Sequence, residues 1–305
     1  MSAEVRQPVE IIPAACTLGE GPVWDDRLSC LWWTDIHKSQ LLRWDWANRS
    51  FESVELPERL GSLGLTTDPL WLVCAFASGF ALFRPDVGEL RWLARPEAEY
   101  RGVRLNDGRV DPLGNFWSGS MVENAALAPT CGGSLYRLDS HGELDVMLDG
   151  IGISNSICFP ADGSRLFFAD TLQGDIDAYE LRPDGTLGDK QPFAKIARPA
   201  CPDGSEVDAA GRLWNAEWGG ARLRCYGPDG SPVKQLVLPV SQPTCLTFGG
   251  PGLDHIFVTS AREGLSADQL AGEPLAGHTL VYRTGDTGLR APRFHIEYLL
   301  SRRMT

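Results

Sequence analysis

The 305-residue chain has no run approaching the roughly 20 apolar residues that a membrane-spanning helix requires. Its first twenty residues, MSAEVRQPVEIIPAACTLGE, lack a basic stretch followed by an apolar one, so no secretory leader is expected and a cytoplasmic location is. Cysteine is present eight times but never as C-x-x-C, and the five histidines form neither H-x-H nor H-E-x-x-H. Those absences exclude the common zinc and dithiol signatures. They leave the cysteines expected as reduced, buried thiols. Basic residues are also short: 28 Lys and Arg stand against 40 Asp and Glu, a net charge of −12. Nucleic acid and anionic membranes, which need a basic face, are therefore not the expected partners.

A clear helical period is missing too. What is there instead are short apolar and aromatic runs separated by Gly, Pro, Asp and Asn clusters, the pattern of many short strands. One unit recurs: a strand, a tight turn with Asp or Gly, then a strand rich in Trp and Phe. The copies are EGPVWDDRLSCLWWTD, SLGLTTDPLWLVCA, NDGRVDPLGNFWSGS, NSICFPADGSRLFFAD, DGSEVDAAGRLWNAE and TCLTFGGPGLDHIFVTS. Anchored at Glu20, Ser62, Asn106, Asn155, Asp203 and Thr244, they are spaced by 42, 44, 49, 48 and 41 residues. Each is followed by a second strand pair. A period in the forties with four strands per unit describes a β-propeller blade. Six copies fill the chain, so residues 1–305 are expected to form one all-β domain, a six-bladed propeller with four antiparallel strands per blade.

In that architecture the first strand of each blade lines the central channel, and the six anchor residues converge at one mouth. All six carry a side-chain oxygen. Glu20, Asn106, Asn155 and Asp203 are carboxylates or carboxamides. This register separates three copies of the same tripeptide. Pro-Asp-Gly occurs at Pro183–Gly185, Pro202–Gly204 and Pro228–Gly230. Asp184 and Asp229 follow AYELR and LRCYG and belong to outer hairpins, where turn chemistry explains them. Asp203 stands five residues before Asp208, as Asn106 does before Asp111 and Glu20 before Asp25, and so lies in the axial register. Any one of these residues could simply cap a strand entry. Acids meeting on an axis, however, repel and lose hydration, and a bound cation removes both problems. The donors are hard oxygens, suited to Ca²⁺, Mg²⁺ or Mn²⁺ and less selectively to Fe²⁺ or Zn²⁺.

The ordered set LGEGPVW, RLNDGRVDPLGNFWSGSM, ISN, PDGSEVDAAGRLW, WGG, FGGP and VTSAR resembles the SMP-30/gluconolactonase/luciferin-regenerating family, in particular its bacterial sugar lactonases, in a match that runs from about Gly19 to Arg283. The resemblance implies one catalytic divalent metal and hydrolysis of an aldonolactone to its sugar acid. It implies Glu20, Asn155 and Asp203 as metal ligands, Asp203 also as general base, and Arg104, Asn106 and Glu123 as residues that hold the substrate. It is similar but not identical to that pattern. Ser156 stands where Gly is usual, Leu105 where Pro is common, and Glu217 where a small or apolar residue is common, which is expected to add an acid near the mouth.

The expected partner is a small sugar lactone, and the expected state a monomer or weak oligomer. Two rival readings keep the scaffold. A metal-dependent esterase or phosphotriesterase would want an aromatic, apolar pocket. A non-catalytic binding platform would have no reason for axial carboxylates.

Overall fold

A computed structural model describes residues 6–129 and 132–301. It contains six four-stranded antiparallel sheets arranged as the blades of a propeller. The innermost strands are Gly19–Asp25, Leu60–Leu65, Val103–Val110, Ser154–Cys158, Cys201–Val207 and Pro243–Gly249. Five blades are continuous in sequence. The sixth is not: its outermost strand is Glu10–Ile12, paired antiparallel with Thr279–Tyr282. The start of the chain thus closes the ring beside its last blade.

Burial falls from axis to rim, and the sequence of each strand follows it. The inner strand GEGPVWD is buried throughout, because neighbouring blades cover both of its faces. The outer strands FESVE, LGDKQPFAK and PVKQLV keep their polar residues in water. Among the described residues the core accordingly forms six apolar layers between successive blades and one small further cluster of Leu18, Ile36 and Ala261. Trp24, Trp33 and Trp44 of the first blade pack on Phe257 and Val281 of the sixth. Trp117 and Leu135 of the third pack on Ile157 and Phe168 of the fourth. Burying one such side chain is worth about 1.5–3 kcal/mol, so every inter-blade layer contributes substantially.

Every inner strand carries one extra residue relative to its neighbour. The register slips between Glu20 and Val23, Leu60 and Ser62, Leu105 and Gly108, Asn155 and Cys158, Pro202 and Ser205, and Pro243 and Leu246. A β-bulge bends its strand and re-aims a side chain. The six bulges recur at one level, at or beside each anchor residue. At the far end of the channel, Leu289–Pro292 cross the ends of the inner strands, and Phe294 inserts between the second and third blades.

Candidate metal centre and active-site cleft

The bulges place Glu20, Asn106, Asn155 and Asp203 in the wall of one cleft of about 360 Å³, together with Arg104, Met121, Thr171, Arg198, Trp218 and Glu263. The other two axial residues turn aside. Ser62 Oγ faces Ser118 Oγ at 3.4 Å, and Thr244 Oγ1 bonds Thr259 Oγ1 at 2.8 Å. Glu217 does not join the site, contrary to the expectation of an added acid at the mouth. Its carboxylate is buried inside its blade, with Arg222 Nε at 2.5 Å, Arg224 Nε at 3.1 Å and Tyr226 Oη at 3.1 Å. It is paired for the strand, not for a ligand.

The carboxamides have fixed orientations. Thr171 spends its hydroxyl proton on the Pro202 carbonyl at 2.9 Å, so its oxygen accepts from Asn155 Nδ2 at 2.8 Å. Asn155 Oδ1 is then left to face the site. Asn106 Nδ2 donates to it at 3.0 Å and to the Ser154 carbonyl at 2.9 Å. Asn106 Oδ1 accepts from Arg104 Nη1 at 2.6 Å. Asn106 therefore has both amide hydrogens committed and serves mainly to link Arg104 to Asn155.

Glu123 stands behind Arg104 and not in the cleft wall. Its Oε1 accepts from Arg104 Nε at 3.0 Å, and Arg59 grips both oxygens at 2.8 and 2.7 Å. Burial alone would raise this carboxyl, but the Arg59 hydrogen bonds and the charges of both arginines hold it below its ordinary range. Arg104 is buried, and burial pulls its guanidinium below the ordinary value against the attraction of Glu123. The remaining edge, Nη2, is the part that Arg104 can offer a ligand.

The two axial acids are placed at electrostatic cost. Burial pushes the Glu20 carboxyl up to about 8, with the charge of Asp107 adding to the rise. Burial, then Glu20 and Asp107, push Asp203 well above the usual carboxylate range. Asp107 lies deeper in the channel and is itself raised by burial. The backbone N–H groups of Gly108 and Ile157 hold it at 2.9 and 2.8 Å. Next to it in the strand, Arg109 is half-buried, donates to the Ser205 carbonyl at 2.8 Å and lies 3.7 Å from Glu206.

This arrangement fits a divalent cation. The donors are two carboxylates and one amide oxygen, all hard, and the dry position disfavours their negative charge unless a cation is bound. No three His, Cys, Asp or Glu side chains converge among the described residues, because the third donor here is the amide of Asn155. A cation held by only these three side chains would keep positions for water and substrate.

Sequence reasoning passed over Asp107, Thr171, Arg59, Arg198 and Trp218. Asp107 follows the axial Asn106 directly, and that adjacency was a usable signal. The others come from different blades, and no spacing links them to the site. Ser156 also gains an explanation. It sits at a bulge with φ 61°, in the left-handed region that favours glycine, and its hydroxyl pairs with Ser205 Oγ at 2.6 Å. Gly21, after Glu20, takes φ 56° at the equivalent place.

A family model described as the SMP-30/Gluconolactonase/LRE-like region matches residues 18–262. The chain is 40% identical to an L-arabinolactonase of Azospirillum brasilense, over 91% of this chain and 92% of that protein. It is 35% identical to a 6-deoxy-6-sulfogluconolactonase of Pseudomonas putida, over 95% and 97%. A solved structure of a calcium-binding protein, regucalcin, from Agrobacterium tumefaciens superposes with a TM-score of 0.89 at 31% identity, covering 96% of this chain and 99% of that one.

Proposed function

The chain belongs to the SMP-30/gluconolactonase/LRE-like family, and on that premise we propose that it is a metal-dependent sugar lactonase that opens an aldonolactone to the sugar acid. The observation that carries this reading is the raised, mutually repelling pair Glu20 and Asp203, which share the wall of one cleft with Asn155. Relatives named as arabinolactonase, sulfogluconolactonase and pentonolactonase support the reaction class.

Glu20, Asn155 and Asp203 would hold the cation, which when bound would polarise the lactone carbonyl and make water more acidic. Asp203 accepts the proton of the attacking water as its oxygen bonds to the carbonyl carbon. The ring C–O bond then breaks, and the proton passes from Asp203 to the departing ring oxygen, which becomes a hydroxyl. Arg104 offers Nη2 to substrate oxygens. Glu123 and Asn106 keep Arg104 in place, so their contribution to the substrate is largely through it.

The test is a panel of five- and six-carbon aldonolactones, unsubstituted lactones and aryl esters, run on metal-stripped and reconstituted protein. The expected result is turnover of the sugar lactones only after a divalent cation is restored. Full activity in excess chelator, with no metal bound, would overturn the metal role. A preference for aryl esters would move the reading to an esterase on the same scaffold.

A further inference from the structure

Arg198 is an exposed residue in the wall of the same cleft, on the lip formed by the approach to Cys201 and Asp203. Its contacts are few. Nη2 donates to the Leu172 carbonyl at 3.2 Å, and Nη1 approaches Cys201 Sγ at 3.9 Å. No acidic side chain pairs with it among the described residues. The other charged groups of the cleft are already answered. Arg104 is held by Glu123, Glu263 on the cleft wall faces His37 at 2.8 Å, and Glu20 and Asp203 are suited to the cation.

A guanidinium donates and never accepts. A sugar hydroxyl set against it would still need an acceptor for its own proton, whereas an oxyanion needs donors alone. The planar fork also matches a carboxylate, sulfonate or phosphate through two parallel N–H···O bonds. With a chain charge of −12 repelling anions generally, such a substituent would be drawn to this cleft only by a local cation.

We propose that Arg198 is a specificity-determining residue that binds an oxyanion carried on the lactone at the end remote from its carbonyl. The inference deepens the lactonase reading and rests on it for the pose of the substrate, with the carbonyl at Asp203 and the tail at Arg198.

Binding of inert lactams, in which nitrogen replaces the ring oxygen, separates this from turnover. Two six-carbon sugar lactams are compared by calorimetry on the metal-loaded protein, one with a terminal hydroxyl and one with a terminal sulfonate. The expected result is tighter binding of the sulfonate, with Kd raised about ten- to hundredfold by Arg198→Ala, partly restored by Arg198→Lys, and weakened by salt. The hydroxyl lactam should bind all three proteins within about twofold. Equal loss on both lactams, no preference in the wild type, or no binding of either overturns the inference. Hydrolysis of the neutral lactone is measured alongside. Its persistence in Arg198→Ala with no sulfonate preference would sink the tail site and leave the lactonase reading standing, while no hydrolysis of any lactone would sink the lactonase reading instead.

Discussion

Three copies of Pro-Asp-Gly occur in one chain and do two different things. At Pro183–Gly185 and Pro228–Gly230 the tripeptide is a turn with its Pro and Asp exposed and its glycine at φ 81° and 79°. Asp184 accepts from the Thr186 hydroxyl at 2.7 Å and Asp229 from the Ser231 hydroxyl at 2.6 Å, and these bonds, with the backbone N–H groups, hold both carboxyls low. At Pro202–Gly204 the same residues run as a buried inner strand. Gly204 is needed there for another reason: a Cβ would run into Cys245 of the next blade. Asp203 is pushed up rather than down. Identical local sequence therefore yields opposite electrostatics, and the cause is position in the repeat. A turn aspartate is stabilised by its neighbours in sequence. The axial aspartate is destabilised by neighbours from other blades, and a cation can reverse that.

Removing the cation is expected to have the largest effect. Chelation should abolish hydrolysis and lower Tm. A ligand at a hundredfold excess over its Kd stabilises the native state by about 2.7 kcal/mol, which chelation would forfeit. The pH trend sharpens the contrast. Glu20 and Asp203 have folded values above the unfolded carboxylate range, so the folded chelated protein binds the extra protons. Their contribution is fully present below that range and is lost as pH rises toward the Glu20 value of about 8. Chelated Tm should fall from pH 5 to pH 8. Loaded protein should instead gain over the acidic part of that range, since the ligands must ionise to bind metal. A flat chelated profile would show that the two acids are not desolvated as described.

Next in size is Asp203→Asn, which keeps an oxygen and removes the charge and the proton acceptor. A loss of about 10²–10⁴ in kcat is expected from steady-state kinetics at saturating metal. In chelator the same variant should be more stable than wild type near pH 8, because it removes a buried carboxyl that ionises freely only in the unfolded chain. Loss of activity together with loss of chelated stability would point to a structural role and break the comparison.

Arg104→Ala should cost about 1–3 kcal/mol in kcat/KM for a sugar lactone and little for an unsubstituted ring, which lacks the hydroxyls to miss it. Glu123→Gln should show a smaller loss of the same selectivity, since it leaves Arg104 in place but loosens its hold. A larger loss at Glu123 than at Arg104 would mean that Glu123 meets the substrate directly.

Much of this was legible in the sequence because a repeat converts a local pattern into a global position. The period placed six strands around an axis, and Glu20, Asn106, Asn155 and Asp203 do meet in one cleft. What a period cannot carry is the lateral direction of a side chain. Ser62 and Thr244 share the register and yet bond sideways. Glu217 lies directly opposite Pro202 in the ladder and still points into its own blade, where Arg222, Arg224 and Tyr226 satisfy it. Thr171 and Arg198 reach the cleft from the connections at blade ends, which vary in length and fall outside the repeat. The closure of the sixth blade by Glu10–Ile12 was likewise invisible, because a pairing across 269 residues of chain leaves no local trace.

The smallest effects should come from Asp184→Asn and Asp229→Asn, and their smallness is what gives the comparison its force. Both side chains are exposed, and each amide keeps an oxygen that can accept from the same hydroxyl and backbone N–H. The turn is set by the proline and by the left-handed glycine, neither of which changes. No group in the cleft contacts either position. We expect kcat and KM indistinguishable from wild type and Tm within about 1 °C, by kinetics and thermal melts with and without chelator. Chelation should lower Tm in both variants as it does in wild type, because the cation leaves an intact axial site. If either variant lost activity on the scale of Asp203→Asn, position in the repeat would not be what separates the three aspartates. The assignment of Asp203 would then rest on family likeness alone.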